Sequence, residues 1–373
     1  MSMAGKNGKA EGGAPADIQE ATRSFEQWMR NCAPMVESDL RLKHEQMKED
    51  VFLFLRGTFY RWAQVWPEVC PDLARGPKVL ASGDLHVNSF GTWRDVEGRF
   101  CWGVDDFDES YPLAYANDLV RLAASMRIVI DADGLAVKLK DGCDAILEGY
   151  LGSLKEGGCP FVMEEHEKKL GKLGVDNLKP PKNFWEKLNH LPAIRQPLRP
   201  DLKRALERKL PDANLDYKVV RRQAGLGSLG QERFVAIAQW KGGFIAREAK
   251  QTVPSACAWV EGKTGHGESY YKQTINSAVR SRDPFQVIEG QWLIRRLCPD
   301  SNPIDIQTLP KDRDEEMLLH AMGAEAANVH LGSKRQIPKV LKDLQKKKAN
   351  WLRDAAAAMA KAVEKDWDRY RES

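Results

Sequence analysis

The chain has 373 residues, 42% of them hydrophobic and 29% charged, which is enough apolar material for a large buried core. Its 57 basic and 53 acidic residues leave a net charge of +4, far from the basic stripe of a nucleic-acid binder. Seven scattered cysteines without a C-x-x-C pair argue against a disulfide framework or zinc site and suit a reducing cytoplasm. No apolar run reaches the ~20 residues of a membrane span.

In chain order, residues 1–20 are rich in Gly, Ala and Lys and read as a disordered tail. Asp17 to Trp66 is helical in pattern and stops near Pro67. Val79 to Ala81 is a short buried strand running into Gly83-Asp84-Leu85-His86. Phe90 to Trp93 and Arg99 to Val104 form two strands with a turn between them. Asp118 to Ile130 has apolar residues at helical spacing, with Asp118 in capping position. Six prolines between Lys179 and Pro211 predict a connection broken into short helices. Tyr217 to Arg222, Phe234 to Trp240 and Phe244 to Lys250 read as strands, and Gln291 to Leu297 as a further one. Asp314 to Leu331 and Ala349 to Arg371 are helical.

Two constellations carry chemistry. The first is VLASGDLHVNSFGTWRDVEGRFCWGVDDFDE, residues 79–109, in the order strand, polar loop, hairpin, acidic cluster. Kinase-like phosphotransferases use that order: a loop aspartate takes the proton of the attacking hydroxyl, and a second aspartate after the hairpin binds magnesium. Asp84 is the candidate base, with His86 beside it. Asn88, Asp105 and Asp106 are the candidate metal ligands, since hard magnesium prefers oxygen donors. G-D-x-H also opens the metallophosphoesterase motif, but the G-D-x-x-D and G-N-H-[DE] blocks that should follow are missing.

The second constellation is YKVVRRQAGLGSLGQERFVAIAQWKGGFIAREAK, residues 217–250. Gly225, Gly227 and Gly230 spell G-x-G-x-x-G, with Ser228 among them. A dinucleotide site would need a helix after the glycines; here a strand follows, which is the kinase form. The third strand offers Lys250 and Arg247 as phosphate-binding cations. Alternation puts Glu248 and Lys250 on one face and Arg247 on the other. Glu261, Glu268 and Glu289 are open as ion-pair partners. Arg56 and Arg121 either reach the acidic loop or pin helices.

The glycine loop follows Asp84 instead of preceding it, so either one assignment is false or the chain is circularly permuted, a change that relocates only surface connections. FLFLRGTFYRW (52–62), GDLHVNSFGTW (83–93), GVDDFDESYPLAYANDLVRLAAS (103–125), GLGSLGQERFVAI (225–237), and REAK with PSA (247–256) together resemble the bacterial DUF2252 family, grouped with kinase-like folds. Residues 322–332, MGAEAANVHLG, resemble the helix before the catalytic loop of aminoglycoside phosphotransferases. The resemblance implies an α+β, protein-kinase-like bilobal fold in permuted order. Its parts are a tail at 1–20, a catalytic-loop and helical lobe at 21–215, a glycine-loop β lobe at 216–312 and completing helices at 313–373. It implies ATP and magnesium as cofactors and a phosphotransferase acting on an unknown, small-molecule hydroxyl or amine acceptor, with neither nucleic-acid nor membrane partners. The alternatives are a nucleotide-binding pseudokinase and a metallophosphoesterase. The family pattern has Asn where this chain has Ser89, and Asn-Asp-Phe-Asp where this chain begins with Asp105; either Asn88 takes over as the amide, Asp105 compensates, or phosphoryl transfer is impaired.

Overall fold

A computed structural model describes residues 17–132, 134–163, 180–212, 214–263, 269–301 and 314–372. Of the segment expected as a tail, residues 18–20 already belong to the first helix, and residues 1–16 lie outside the described residues. The helical stretch that follows is four helices, α1 (Ile18–Cys32), α2 (Glu37–Glu49), α3 (Val51–Gly57) and α4 (Phe59–Val69). Side chains set the breaks. Asp17 accepts the Glu20 N–H at 2.8 Å and Asp50 accepts the Leu53 N–H at 2.8 Å, each satisfying an otherwise orphaned donor at a helix start. Pro67 sits inside α4, which continues to Val69 instead of stopping near the proline.

After α5 (Pro71–Ala74) come β1 (Lys78–Ala81), β2 (Phe90–Arg94), β3 (Phe100–Val104) and β4 (Tyr111–Ala114). β2 and β3 pair antiparallel with Phe90 opposite Val104, which brings the end of the hairpin back beside its start. Strand β4, unforeseen in the sequence, pairs with β1. Helix α6 (Ala116–Asp131) starts two residues earlier than expected, so Asp118 lies in its first turn and is not its cap. Next come α7 (Leu139–Glu156), also unforeseen, and β5 (Phe161–Val162), which pairs with β3.

The proline-rich stretch holds α8 (Pro181–Asn189) and α9 (Pro200–Glu207), each opened by a proline whose missing N–H costs nothing there. Then follow β6 (Tyr217–Arg221), β7 (Arg233–Trp240), β8 (Gly243–Gln251), α10 (Ala256–Val260), α11 (Tyr271–Ser277), β9 (Val287–Glu289) and β10 (Trp292–Leu297). They make a five-stranded antiparallel sheet in the order β6-β7-β8-β10-β9. The two-residue turn between β7 and β8 uses left-handed Lys241 (φ 47°) and Gly242 (φ 89°), the twist that matches a tight hairpin. The chain ends in α12 (Asp314–His330), α13 (Ile337–Leu344) and α14 (Trp351–Arg371).

The result is a mixed α+β architecture with antiparallel sheets. One large core joins α1–α7 and α12–α14, and includes Ala256, Cys257, Tyr271 and Ile275 from α10 and α11. Small residues allow its tightest crossing: a Cβ on Gly149 of α7 would collide with the His320 carbonyl oxygen of α12, and one on Gly323 with that of Ile146. A second core fixes α9 on the sheet, through Leu202, Ala205 and Leu206 against Val219, Ala236, Ala249, Trp292 and Ile294. Fully burying one such leucine contributes roughly 1.5–3 kcal/mol. Leu188 of α8 packs with Val220, Ile237 and Leu297. Residues 181–207 thus pack on the glycine-loop sheet. No helix among the described residues is long and apolar enough to cross a membrane, and all seven cysteines are free thiols.

Candidate functional site

The loop after β1 is held from below by Asp118. Its carboxylate accepts the N–H of Ser82 at 2.7 Å and of Gly83 at 3.1 Å. His330, the last residue of α12, places Nε2 3.1 Å from Asp118 Oδ2, and its Nδ1 lies 2.8 Å from the Tyr150 hydroxyl. All three are buried. The helix 314–330 therefore meets the loop through this relay, although more than 200 residues of chain lie between them.

Asp84 sits at the top of that loop. The buried Arg121 guanidinium donates Nε–H to Asp84 Oδ1 at 2.7 Å and another N–H to the Leu55 carbonyl at 2.9 Å. Its carbon lies 5.1 Å from the Phe59 ring centre and 4.8 Å from that of Trp62. Arg121 thus does both things open to it, reaching the acidic loop and pinning helices. Burial raises the Asp84 pKa, and Arg121 only partly opposes it. His86 is buried and held neutral, since burial pushes its pKa well below the usual value. Its Nδ1 accepts the Asn88 N–H at 3.2 Å.

Ser89 and Asn88 divide their duties clearly. Ser89 Oγ accepts the His86 N–H at 3.0 Å and donates to the Asp84 carbonyl at 3.1 Å, so it staples the loop. Asn88 lines the cleft, and its Oδ1 is buried with no hydrogen-bond partner among the described residues. A buried acceptor left this way is costly unless a ligand meets it.

The acidic cluster lines the same cleft as Asn88. Asp105 is tied by its N–H to the Ser89 carbonyl at 3.2 Å, and burial raises its pKa to about 6. Burial acts the same way on Asp106, but Lys250 and Arg295 outweigh it and hold that carboxyl at about 2. Lys250 settles on this cluster, in contact with Asp108 and 3.6 Å from Asp106 Oδ2. Arg247, the rival cation, points away: it donates to the Lys209 carbonyl at 2.9 Å and stacks 3.9 Å from the Phe285 ring centre. Glu261 bonds Tyr111 and Lys263, and Glu289 bonds Arg208, so neither meets Lys250; Glu268 lies outside the described residues.

The glycine turn joins β6 to β7 as expected, with a short 3-10 turn at Leu226–Ser228. Gly225 (φ 75°) and Gly230 (φ 100°) take the left-handed backbone that other residues resist. Gly227 lies next to the loop after β1, where a Cβ would stand 3.8 Å from Asp84 Oδ2. Ser228 Oγ accepts from Arg233 at 2.7 Å. Helix α2 anchors this turn: Lys43 donates to the Gly227 carbonyl at 3.1 Å and the Val36 N–H to that of Gly230 at 2.8 Å.

Many of these groups, though not Lys250 or Gly230, line one cleft of about 310 Å³, within the range of small-molecule sites. One wall carries Asp84, His86, Asn88, Ser89, Asp105, Asp106 and Asp108, and another the glycine turn. Arg222, Arg233 and Arg295 also line it; sequence reading passed over them, because their meeting depends on sheet register.

Residues 12–167 match one family model. Its description is an uncharacterized protein conserved in bacteria, DUF2252. The match supports that bacterial family for the half of the site holding Asp84, Asn88 and the acidic cluster. The glycine turn and Lys250 lie beyond the DUF2252 match. No curated protein and no solved structure matches the chain.

A buried carboxylate near the site gives a pH prediction. Glu325 of α12 accepts the Val104 N–H at 3.2 Å and Asn328 Nδ2–H at 2.9 Å, and burial raises its pKa to about 7 in spite of Arg280. The folded state thus binds this proton more tightly than the unfolded chain, so stability falls as pH rises through the window from about 4.5 to 7. The contribution lost is up to about 3 kcal/mol. Urea unfolding at pH 5 and pH 8 should show a smaller difference for Glu325→Gln than for wild type. An unchanged difference would remove Glu325 from the account.

Proposed function

We propose that this chain is an ATP- and magnesium-dependent phosphotransferase, with a protein-kinase-like core in circularly permuted order, acting on a small-molecule hydroxyl or amine. The observation that carries the reading is Asn88, which lines the same cleft as Asp84, Asp106 and the glycine turn and whose buried carbonyl oxygen has no hydrogen-bond partner among the described residues. Those parts come from chain segments more than 100 residues apart. The five-stranded antiparallel sheet beside a helical body, and the α12 contact to the loop through His330, also support it.

The residues fit the metal that the reading requires. Among the described residues no group of three or more His, Cys, Asp or Glu could hold a metal unaided. A dinuclear phosphoesterase would need such a group, whereas magnesium arriving with polyphosphate needs only one or two carboxylates. Asn88 Oδ1 and the Asp106 carboxylate would hold it, with Asp105 beside them. Bound there, magnesium supplies charge neutralisation on the phosphate oxygens. Asp84 accepts the proton of the attacking group, and its raised pKa suits that work. Arg121 holds Asp84 in place. The neutral His86 fixes the loop through the Asn88 N–H.

The test is thermal stability of wild type and Asp106→Ala with ATP, with magnesium, and with both. A ligand at a hundred times its Kd stabilises the fold by about 2.7 kcal/mol. The expected result is a rise in Tm only with ATP and magnesium together, absent in Asp106→Ala. No shift of wild type at millimolar ligand would sink the reading.

A further inference from the structure

The face of the sheet that looks into the cleft carries an arginine cage that the proposed chemistry does not yet use. Glu248 on β8 is fully buried, and three strand systems aim a guanidinium at it. Arg222, just past β6, donates to Oε1 at 2.6 Å; Arg233 on β7 donates to Oε2 at 3.1 Å; Arg295 on β10 donates to Oε2 at 2.7 Å. Register makes this possible, since Arg295 lies opposite Glu248 and Arg233 opposite Lys250. Burial opposes the charge on Glu248, yet the three arginines outweigh it and hold its carboxyl well below the ordinary range.

Three cations on one carboxylate leave an excess of positive charge on this wall. Another wall carries Asp105, Asp106 and Asp108, and Lys250, on the same strand as Glu248, reaches Asp106 and Asp108. A ligand that carries a cation on one side and several anionic oxygens on the other would satisfy both walls at once. Guanidiniums suit that task, because their planar forks bind phosphate oxygens in pairs.

We infer that Arg222, Arg233 and Arg295 form the polyphosphate subsite of the cleft, taking the anionic oxygens of a metal-chelated polyphosphate whose cation meets Asn88 and Asp106. This inference rests on the phosphotransferase reading and moves phosphate binding from Lys250 to the arginine wall. Arg222 and Arg295 are partly exposed, with side-chain exposures of 32% and 22%, and so can reach a ligand while holding Glu248. Arg233 is enclosed and also braces the turn through Ser228.

Isothermal titration of the full chain with inorganic tripolyphosphate, with and without magnesium, tests this. Wild type is expected to bind the magnesium complex, and Arg222→Gln and Arg295→Gln to lose about tenfold or more in affinity, the worth of a charge-assisted hydrogen bond. Circular dichroism checks that each variant is folded. Should Arg222→Gln fail to fold, Arg222→Lys keeps the charge beside Glu248 and should still weaken binding. Variants that bind magnesium tripolyphosphate as tightly as wild type overturn the arginine subsite, while leaving an Asp106-dependent response to ATP and magnesium intact. Loss of that response in wild type overturns the phosphotransferase reading itself.

Discussion

Asp84→Asn is expected to lower phosphoryl transfer, or ATP hydrolysis where no acceptor is supplied, by about 10²–10⁴-fold, the usual worth of a positioned general base. The substitution preserves size and removes the one atom type that can take a proton. Binding should survive, because Asn88, Asp106 and the glycine turn do not depend on it. The variant should therefore keep its rise in Tm with ATP and magnesium while losing turnover. It will also be less stable than wild type, since Arg121 is buried and loses its anionic partner, retaining only the Leu55 carbonyl and its two aromatic faces. The two effects separate cleanly: the ligand-induced increment in Tm reads binding, and turnover per folded molecule reads chemistry. Equal turnover in wild type and variant would show that Asp84 is not the base. Binding without any turnover in wild type, across hydroxyl and amine acceptors, would favour the non-transferring alternative.

Glu248→Gln should be the most damaging substitution in the sheet, at about 3–5 kcal/mol, the cost of breaking a buried ion network from one side. Glutamine fits the space, but Arg222, Arg233 and Arg295 would then face one another without the carboxylate that joins them. The sign with pH follows from the depressed pKa of Glu248. Its contribution is present above about 4.5 and is lost as pH falls through the much lower folded value. The gap between wild type and variant in urea unfolding should therefore be full at pH 7 and narrow in acid. Added tripolyphosphate should also narrow it at pH 7, because an external anion takes the place of the missing one. A variant as stable as wild type at pH 7 would mean that solvent, not Glu248, carries the arginine charge.

Much of this site was legible in one dimension because its parts are local. Asp84, His86, Asn88 and Asp106 fall in a single strand–loop–hairpin unit, where backbone geometry alone sets their spacing. The glycines of the turn between β6 and β7 announce themselves, since left-handed backbone at Gly225 and Gly230 restricts the residue type. Strand alternation put Lys250 and Arg247 on opposite faces but left open which of them meets the acidic cluster; the fold places Lys250 there. The four-residue β4 was overlooked because so short a strand carries too little period to read, and the 18-residue α7 was overlooked as well.

Tertiary structure decided the rest, and in each case the reason is a contact between distant residues. Whether Ser89 or Asn88 offers a free oxygen depends on which backbone groups the folded loop leaves unpaired. That α8 and α9 belong with the sheet depends on apolar faces that a proline-rich connection shares with any surface helix. The arginine cage depends on the register of three separate strands around Glu248. The sequence by itself determined the chemistry available in each local segment. Only the fold determined which segments face one another across the cleft, because burial and charge pairing act between residues that the chain order keeps apart.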